Sequence, residues 1–168
     1  MEYRPAVRED LPQLRTIYTE IYRSMEASGV FLWNEHYPYD AFAGDIEKGR
    51  LWLLCDGDNI AAAFVLDKYE ETGGIAWEDD SAGAAVLMRL GVNPAYQKRS
   101  LGRACMRYAA ELARARGCDY LRLYVVDSNT PAEQFYIRCG FRRAGGEHRE
   151  HVDGIPGELT EYGYEIRT

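Results

Sequence analysis

Residues 82 to 126 constrain the fold of this chain more than any other segment. They read as an apolar strand (AGAAVLMRLGV, 82 to 92), a helix that begins near Leu101 and ends at Gly117, and a second apolar strand (YLRLYVV, 120 to 126). The apolar side chains of the helix recur at helical spacing, and its charged side chains occupy the other face. A strand, a helix and a strand in this order predict two parallel strands joined by a right-handed crossover.

The segments on either side predict further strands and helices. Before the crossover come a short strand (EYRPAV), a helix with an apolar face from Leu11 to Met25, a short helix near 40 to 48, and a β-hairpin that turns at the sequence DGDN. After it come a short helix that Gly140 ends and two strand-like pieces, FRRAG and LTEYGYEI. We therefore expect a mixed α/β sheet with helices on its faces.

The composition narrows the class of protein. The chain has 168 residues and a net charge of -7, which argues against a general nucleic-acid binder and is compatible with cationic small partners. The first ten residues contain no apolar signal core, and the longest apolar run, residues 60 to 66, is too short to span a bilayer. The four cysteines form no C-x-x-C pair and fit reduced thiols. We expect one domain, residues 1–168, in a cytoplasmic protein without nucleic-acid or membrane partners.

The loop before the long helix, QKRSLGRA (97 to 104), allows two interpretations. Backbone N–H groups at a helix N-terminus favour anions, Gly102 lies in the first turn, and three basic side chains add positive charge: Lys98, Arg99 and Arg103. The same residues fit an ordinary helix start in which Ser100 is the N-cap. The sequence contains neither G-x-x-x-x-G-K-[ST] nor G-x-G-x-x-G. From the loop alone, both interpretations stay open.

Two motifs taken together resemble those of the GNAT acetyltransferases. The first motif of that family, similar to V-x-P-x-x-(Q/R)-x-x-G-x-G/A, corresponds here to Val92, Pro94, Gln97, Ser100, Gly102 and Ala104, with Ser100 in place of the usual first glycine. The second, similar to N-x-x-A-x-x-x-Y-x-x-x-G-F, is filled at every position, by Asn129, Ala132, Tyr136, Gly140 and Phe141. The order of strands and helices also matches. The resemblance implies a mixed, mostly antiparallel central sheet of six to seven strands with splayed fourth and fifth strands, flanked by about four helices.

The resemblance also implies acetyl-coenzyme A as the acetyl donor. Its pyrophosphate would lie on the loop before the long helix, and its pantetheine arm would pair with the preceding strand. Gly91 is either the bulge that begins the splay or a simple packing glycine. Asn129 resembles the family's cofactor-contacting asparagine, a role that is compatible with capping the next helix. The predicted cofactor-binding residues are Leu90, Gly91, Val92, Gln97, Lys98, Arg99, Ser100, Leu101, Gly102, Arg103, Ala104, Asn129 and Tyr136.

Amine attack on a thioester requires a proton for the leaving thiolate and a neutral amine. Tyr136 matches the family's tyrosine in the role of general acid, which a well-placed phenol can perform. A lysine-like amine, with a pKa of about 10.4, is mostly protonated at pH 7, so a general base or a water chain should help. The strand from 82 to 92 carries no carboxylate. We name Glu78 as the candidate base, with Asp79, Asp80 and Asp127 as further carboxylates, although each of them also fits a solvated loop.

The acceptor amine is expected near an aromatic-rich insert. Its side chains are Trp33, Tyr37 and Tyr39, with Trp77 across the predicted cleft, and their aromatic faces would suit a cation or serve as ordinary packing. His148 and His151 stand beside Glu147 and Glu150, but their spacing matches no metal motif, so we expect a charged hairpin and no metal. The expected partners are acetyl-coenzyme A and an amine, with a possible homodimer. A non-catalytic acyl-coenzyme A sensor on the same fold is the alternative.

Overall fold

The computed structural model describes residues 1–71, 73–151 and 157–168. These residues form four helices and ten strands. The helices are α1 (Leu11–Ala27), α2 (Phe42–Glu47), α3 (Leu101–Ala115) and α4 (Thr130–Arg138). The strands are β1 (Glu2–Pro5), β2 (Leu51–Asp56), β3 (Asn59–Lys68), β4 (Ile75–Ala76), β5 (Ala84–Val92), β6 (Tyr120–Val126), β7 (Arg142–Arg143), β8 (Gly145–Gly146), β9 (His148–Glu150) and β10 (Leu159–Arg167).

The main sheet runs in the order β1-β2-β3-β5-β6-β10-β7, and β9 also pairs with β10. The pairings β1–β2, β2–β3, β6–β10, β7–β10 and β9–β10 are antiparallel, whereas β5 and β6 are parallel, as the crossover predicts. The register of β5 with β6 covers Ala84–Val86 and Tyr120–Arg122, although both strands continue beyond it. The predicted fold class is therefore confirmed: a mostly antiparallel central sheet with four helices.

The chain forms two compact units, and the first comprises residues 1–66 and 88–106. The apolar face of α1 places Leu14, Ile17 and Tyr18 in its core, where they are almost fully buried together with Phe42. Tyr18 donates a hydrogen bond from its hydroxyl to the carbonyl oxygen of Arg89 at 2.6 Å, and its ring meets that of Phe42 edge-on at 4.7 Å. The core of this unit thus holds β5 near its end.

Arg89 has an irregular backbone conformation within β5. Arg89 has a φ of 54°, in the left-handed region that non-glycine residues seldom occupy, whereas Gly91 is not among the residues with positive φ. Gly91 is required for a different reason. A Cβ there would lie 2.7 Å from Cζ of Tyr18 and 2.9 Å from Cδ1 of Ile21. These contacts support the interpretation of Gly91 as a packing glycine, and its role as the bulge stays a prediction.

The contact at Gly91 leads to a stability prediction. Gly91→Ala forces a methyl group against the Tyr18 ring, so we expect the free energy of unfolding to fall by about 1–3 kcal/mol. Gly44→Ala is the matched control, because Gly44 lies in α2 and a Cβ there meets no atom within 4 Å. That control should be neutral or stabilising by up to about 1 kcal/mol. Urea denaturation compares the two variants, and equal stability of Gly91→Ala and wild type would contradict this packing.

The second unit comprises residues 67–87 and 107–168. It contains a fully buried arginine, Arg122 on β6, whose Nε donates to Oε2 of Glu165 on β10 at 3.2 Å. The Arg122 guanidinium also lies over the rings of Trp77, at 4.5 Å, and Tyr69, at 4.7 Å. These contacts fix the segment before β5 to the sheet. Within the described ranges, no helix is both long and apolar enough to cross a membrane. The assignment of residues 1–168 to a single domain stays a prediction.

Candidate functional site

The loop before α3 has an unusual backbone in the first unit. Lys98 has a φ of 64° and Ser100 a φ of 58°, so two non-glycine residues occupy the left-handed region within three positions. An N-cap residue usually has an extended backbone, so Ser100 departs from ordinary N-cap geometry. Glycine adopts a left-handed φ without a steric penalty. This conformation gives a physical reason for the glycine that the family motif has at this position. Ser100 adopts the same conformation although it is not a glycine.

The electrostatics of this loop favour an anion. Gln97, Lys98, Arg99 and Ser100 are all exposed, and α3 begins directly after them at Leu101. The first N–H groups of a helix have no partner inside the helix and carry its positive dipole end. The Arg99 guanidinium lies 5.1 Å from the centroid of the Tyr96 ring, which places that charge beside the loop. The loop can therefore offer both backbone donors and side-chain cations to a phosphate.

The preceding strand residues fit a second contact of the predicted cofactor site. Leu90 and Val92 are partly exposed, whereas Gly91 between them is buried against α1. Arg89, just before them, is anchored twice. Its carbonyl accepts from Tyr18, and its guanidinium donates to the fully buried carboxylate of Asp45 at 3.1 Å. The backbone from Leu90 to Val92 is thus held in place by side chains of α1 and α2.

Asn129 and Tyr136 lie in the second unit, at the start of α4 and within it. Asn129 accepts a hydrogen bond at Oδ1 from the N–H of Ala132 at 3.3 Å, so its predicted capping role is confirmed. The capping bond uses the oxygen of the amide and leaves its NH₂ group as a donor. Tyr136 is partly exposed, and its ring packs between those of Phe135, at 5.2 Å, and Phe141, at 5.8 Å.

The surroundings of Tyr136 keep its hydroxyl protonated. Burial raises the pKa of Tyr136 well above the ordinary value of a phenol, and the nearby Cys139 thiol adds to the shift. The neutral phenol is the form that donates a proton, so this form is populated throughout the neutral range. The same shift makes the hydroxyl a weaker acid, and proton transfer from it therefore depends on close placement.

Glu78, the candidate base, is engaged with two cations. Its carboxylate forms ion pairs with Arg142 and, at 3.2 Å, with Arg167. Its side chain is 40% exposed, and its backbone N–H donates to Glu165 at 2.7 Å. The two guanidinium partners therefore hold the Glu78 side chain in place. Its role as base stays a prediction.

The aromatic residues predicted to bind the acceptor are placed in different surroundings. In the first unit, Trp33 and Tyr39 pack against the core, with the Trp33 ring 5.4 Å from that of Tyr18. Tyr37 lies 5.4 Å below the Arg89 guanidinium. In the second unit, Trp77 is buried, and its indole N–H donates to the Tyr69 hydroxyl at 2.8 Å. Ordinary packing accounts for the contacts of Trp33 and Tyr39, and the acceptor-binding role of all four stays a prediction.

A group of side chains that the sequence analysis missed lies on β9 and β10. The nearest ligand atoms of His148, Glu150 and Glu161 all lie within 4.8 Å of one another. His148 and Glu150 were considered earlier as part of a charged hairpin, but Glu161 was not considered with them. The strand-like alternation of LTEYGYEI was the available signal, because it places Glu161 and Glu165 on one face.

Comparisons with known proteins agree with the resemblance that the two motifs indicate. The model of the acetyltransferase (GNAT) family matches residues 11–141. A mycothiol acetyltransferase of Clavibacter sepedonicus is 34% identical over 112 residues, which are 62% of this chain and 37% of that protein. A streptothricin acetyltransferase of Streptomyces lavendulae is 30% identical over 106 residues, 63% of this chain and 51% of that protein. The chain thus spans between about a third and a half of the length of these relatives.

Solved structures agree in fold. The crystal structure of an acetyltransferase of the GNAT family from Listeria monocytogenes superposes with a TM-score of 0.75 and 22% identity, covering 99% of this chain and 94% of that one. This likeness extends over the strands and helices on both sides of the two motifs. Together with the family match over most of the chain, it leads to one assignment: the chain belongs to the acetyltransferase (GNAT) family.

Proposed function

We propose that this protein is an N-acetyltransferase that moves an acetyl group from acetyl-coenzyme A to a primary amine of a small molecule or to an exposed amino group. The single observation that carries the proposal is the loop at the start of α3, where an exposed cationic segment has the left-handed backbone that the family motif meets with glycine. Family membership supports the same class of reaction.

In this proposal the loop binds the pyrophosphate of acetyl-coenzyme A. Lys98 and Arg99 would neutralise its charge, and the first N–H groups of α3 would donate hydrogen bonds to its oxygens. The backbone of Leu90 and Val92 would pair with the amide groups of the pantetheine arm. Asn129 would donate from the NH₂ group that its capping bond leaves available. When bound, acetyl-coenzyme A supplies an acyl group activated as a thioester.

Tyr136 is proposed as the general acid. Its hydroxyl would donate a proton to the coenzyme A thiolate as the carbon–sulfur bond breaks, and the raised pKa of Tyr136 keeps that proton in place until then. Holding the amine and the thioester together contributes up to about 7–11 kcal/mol in ideal cases. Catalysis thus divides between positioning and one placed proton donor.

Binding and turnover, measured separately, test this function. Isothermal titration with acetyl-coenzyme A tests the loop. A thiol-release assay across polyamines, aminoglycosides, amino acids and peptide N-termini tests transfer. We expect micromolar binding and amine-dependent release of coenzyme A. Binding without release on any amine would favour the non-catalytic sensor, and absence of binding would contradict both. The name of one relative, a streptothricin acetyltransferase, adds streptothricin to the acceptors to include.

The conformation of Ser100 gives a prediction for the loop itself. Ser100→Gly removes a Cβ from a left-handed position, so we expect cofactor binding to persist and the free energy of unfolding to rise by up to about 1 kcal/mol. Ser100→Ala is the control, because it removes the hydroxyl but keeps the Cβ, and it should not stabilise the protein. Titration with acetyl-coenzyme A and urea denaturation measure the two effects. Loss of binding in Ser100→Gly would contradict this description of the loop.

A further inference from the structure

One face of β10 in the second unit carries two carboxylates in very different surroundings. Glu161, Gly163 and Glu165 alternate along this face and lie opposite Val126, Tyr124 and Arg122 of β6. Gly163 lies between the two carboxylates, and a Cβ on it would be 2.7 Å from Cη2 of Trp77. The six-membered ring of Trp77 therefore packs directly against Gly163, between the two glutamates.

The two glutamates differ in their partners. Glu165 is buried and paired with Arg122 at 3.2 Å. Glu161 is partly buried, and within the part of the chain that the structure describes, no cationic side chain is paired with it. Its neighbours are His148, directly opposite on β9, and Glu150, one pair further along the same face. A carboxylate pair without a cation is unfavourable, and it becomes favourable when a cation lies between its members.

A row of aromatic rings leads to Glu161. The centroids of Tyr69 and Trp77 are 5.6 Å apart, those of Trp77 and Tyr124 are 5.9 Å apart, and those of Tyr124 and His148 are 5.9 Å apart. Aromatic faces beside carboxylates attract organic cations through both the ring quadrupole and the opposite charge. The row contains the chemistry that recognises an alkylammonium group.

We propose that Glu161 accepts the proton of the acceptor amine and that Glu161, Glu150 and the Tyr124–His148 ring pair bind this amine as an ammonium ion. This inference rests on the proposed acetyl transfer, and it names a residue and a substrate class that the transfer leaves open. Burial raises the pKa of Glu161 to about 7, with Glu150 adding to the shift, so the carboxylate form is available from neutral pH upward. A base that titrates near the working pH is effective in general base catalysis.

The step balances in atoms and charge. The ammonium R–NH₃⁺ gives one proton to the Glu161 carboxylate and becomes R–NH₂. The amine nitrogen attacks the thioester carbonyl carbon, the carbon–nitrogen bond forms, and the carbon–sulfur bond breaks. The departing thiolate takes the hydroxyl proton of Tyr136, and the second proton of the attacking nitrogen returns to the tyrosinate. Glu161 then releases its proton to water, so the net products are the N-acetylated amine, free coenzyme A and one proton.

The charged groups around Glu161 determine what a pH profile measures. From β9, His148 and Glu150 face it; from β6, the opposite residue is the apolar Val126, followed by the exposed Asp127, whose N–H donates to the carbonyl of Thr160 at 2.9 Å. Because the pKa of Glu161 is raised in the folded state, its ionisation lowers stability as pH rises from its ordinary value towards about 7. Glu161→Gln removes that penalty, so we expect a higher Tm than wild type at pH 8.

The test is the pH dependence of kcat/KM for a diamine substrate. In the wild type, we expect kcat/KM to rise with pH through about 7. In Glu161→Gln, we expect a loss of at least about 100-fold at pH 8 and the disappearance of that limb, with acetyl-coenzyme A affinity unchanged. Glu161→Asp should restore part of the rate because it keeps the carboxylate. Glu158→Gln, exposed just before β10, is the matched control and should behave as wild type.

The possible outcomes distinguish the proposed function, the role of Glu161 and a metal site. A wild type without transfer activity would contradict the proposed function. Transfer with an unchanged rate and pH limb in Glu161→Gln would overturn the role of Glu161 alone. Titration with Zn²⁺ and Mg²⁺ tests whether His148, Glu150 and Glu161 bind a metal ion instead of an ammonium group. Micromolar binding that Glu161→Gln abolishes, together with activity lost in a chelator and restored by the ion, would make the group a metal site and overturn this proposal.

Discussion

Tyr136→Phe should lower kcat about 100-fold or more while the affinity for acetyl-coenzyme A changes by less than about threefold. The substitution removes one oxygen and keeps the ring, so its packing against Phe135 and Phe141 remains. General acid catalysis contributes about 10²–10⁴-fold, and a 100-fold loss is about 2.7 kcal/mol of barrier. Steady-state kinetics with the amine found in the thiol-release screen gives kcat, and isothermal titration gives the affinity.

A second tyrosine provides the control, because its substitution by phenylalanine also removes a hydroxyl and keeps the ring. Tyr162 lies on β10, and its ring contacts the Arg143 guanidinium at 3.6 Å, a contact that Tyr162→Phe keeps. That control should retain wild-type turnover and stability. Unchanged turnover in Tyr136→Phe would exclude this hydroxyl as the proton donor. Loss of acetyl-coenzyme A affinity comparable to the loss of kcat would instead give the hydroxyl a binding role.

Much of the fold could be predicted from the sequence because it depends on periodicity. The alternation of strands and the apolar stripe of α3 follow from which side chains avoid water, and the parallel pairing of β5 with β6 follows from the length of the crossover. These patterns are local in the chain, so a single sequence contains them. The four helices and the order of the elements agree with the prediction for the same reason.

Details of the site depend on contacts between distant residues, and these were harder to predict. Glycine at position 91 left a bulge and a packing contact equally open, and nothing in the sequence indicated the left-handed backbone of Arg89, whose carbonyl and guanidinium are bound by Tyr18 and Asp45 from other elements. Ser100 was one candidate N-cap, and its carbonyl does accept from the N–H of Ala104 at 3.2 Å, but the sequence contained no sign of its left-handed backbone. Glu161 belongs to no recognised motif. Its environment arises from the pairing of β10 with β9, which the sequence does not specify. Residue type alone gives neither a backbone strain nor a desolvated carboxylate.

The anchor of Arg89 gives the largest expected effect on stability. The side chain of Asp45 is fully buried in the first unit and accepts from Nε of Arg50 at 2.7 Å and from Nη1 of Arg89 at 3.1 Å. Removal of one partner from a buried ion pair costs about 3–5 kcal/mol, because the remaining charge loses its compensation. We therefore expect Asp45→Ala to lower the free energy of unfolding by about that amount, measured by urea denaturation at pH 7.

Glu47→Ala is the control for Asp45→Ala, because it lies two residues further along α2 and pairs with Arg8 in solvent, with side-chain exposures of 59% and 65%. An exposed pair contributes about 0–1 kcal/mol, so this variant should remain close to wild type.

Asp45 also affects the predicted binding of acetyl-coenzyme A, because Arg89 directly precedes the strand residues proposed to pair with the pantetheine arm. Asp45→Asn keeps the shape and one acceptor oxygen; if it folds, it should bind acetyl-coenzyme A more weakly than Glu47→Ala does. Equal affinity in the two folded variants would mean that the left-handed Arg89 is not needed to present Leu90 and Val92, and that the ion pair serves the core alone.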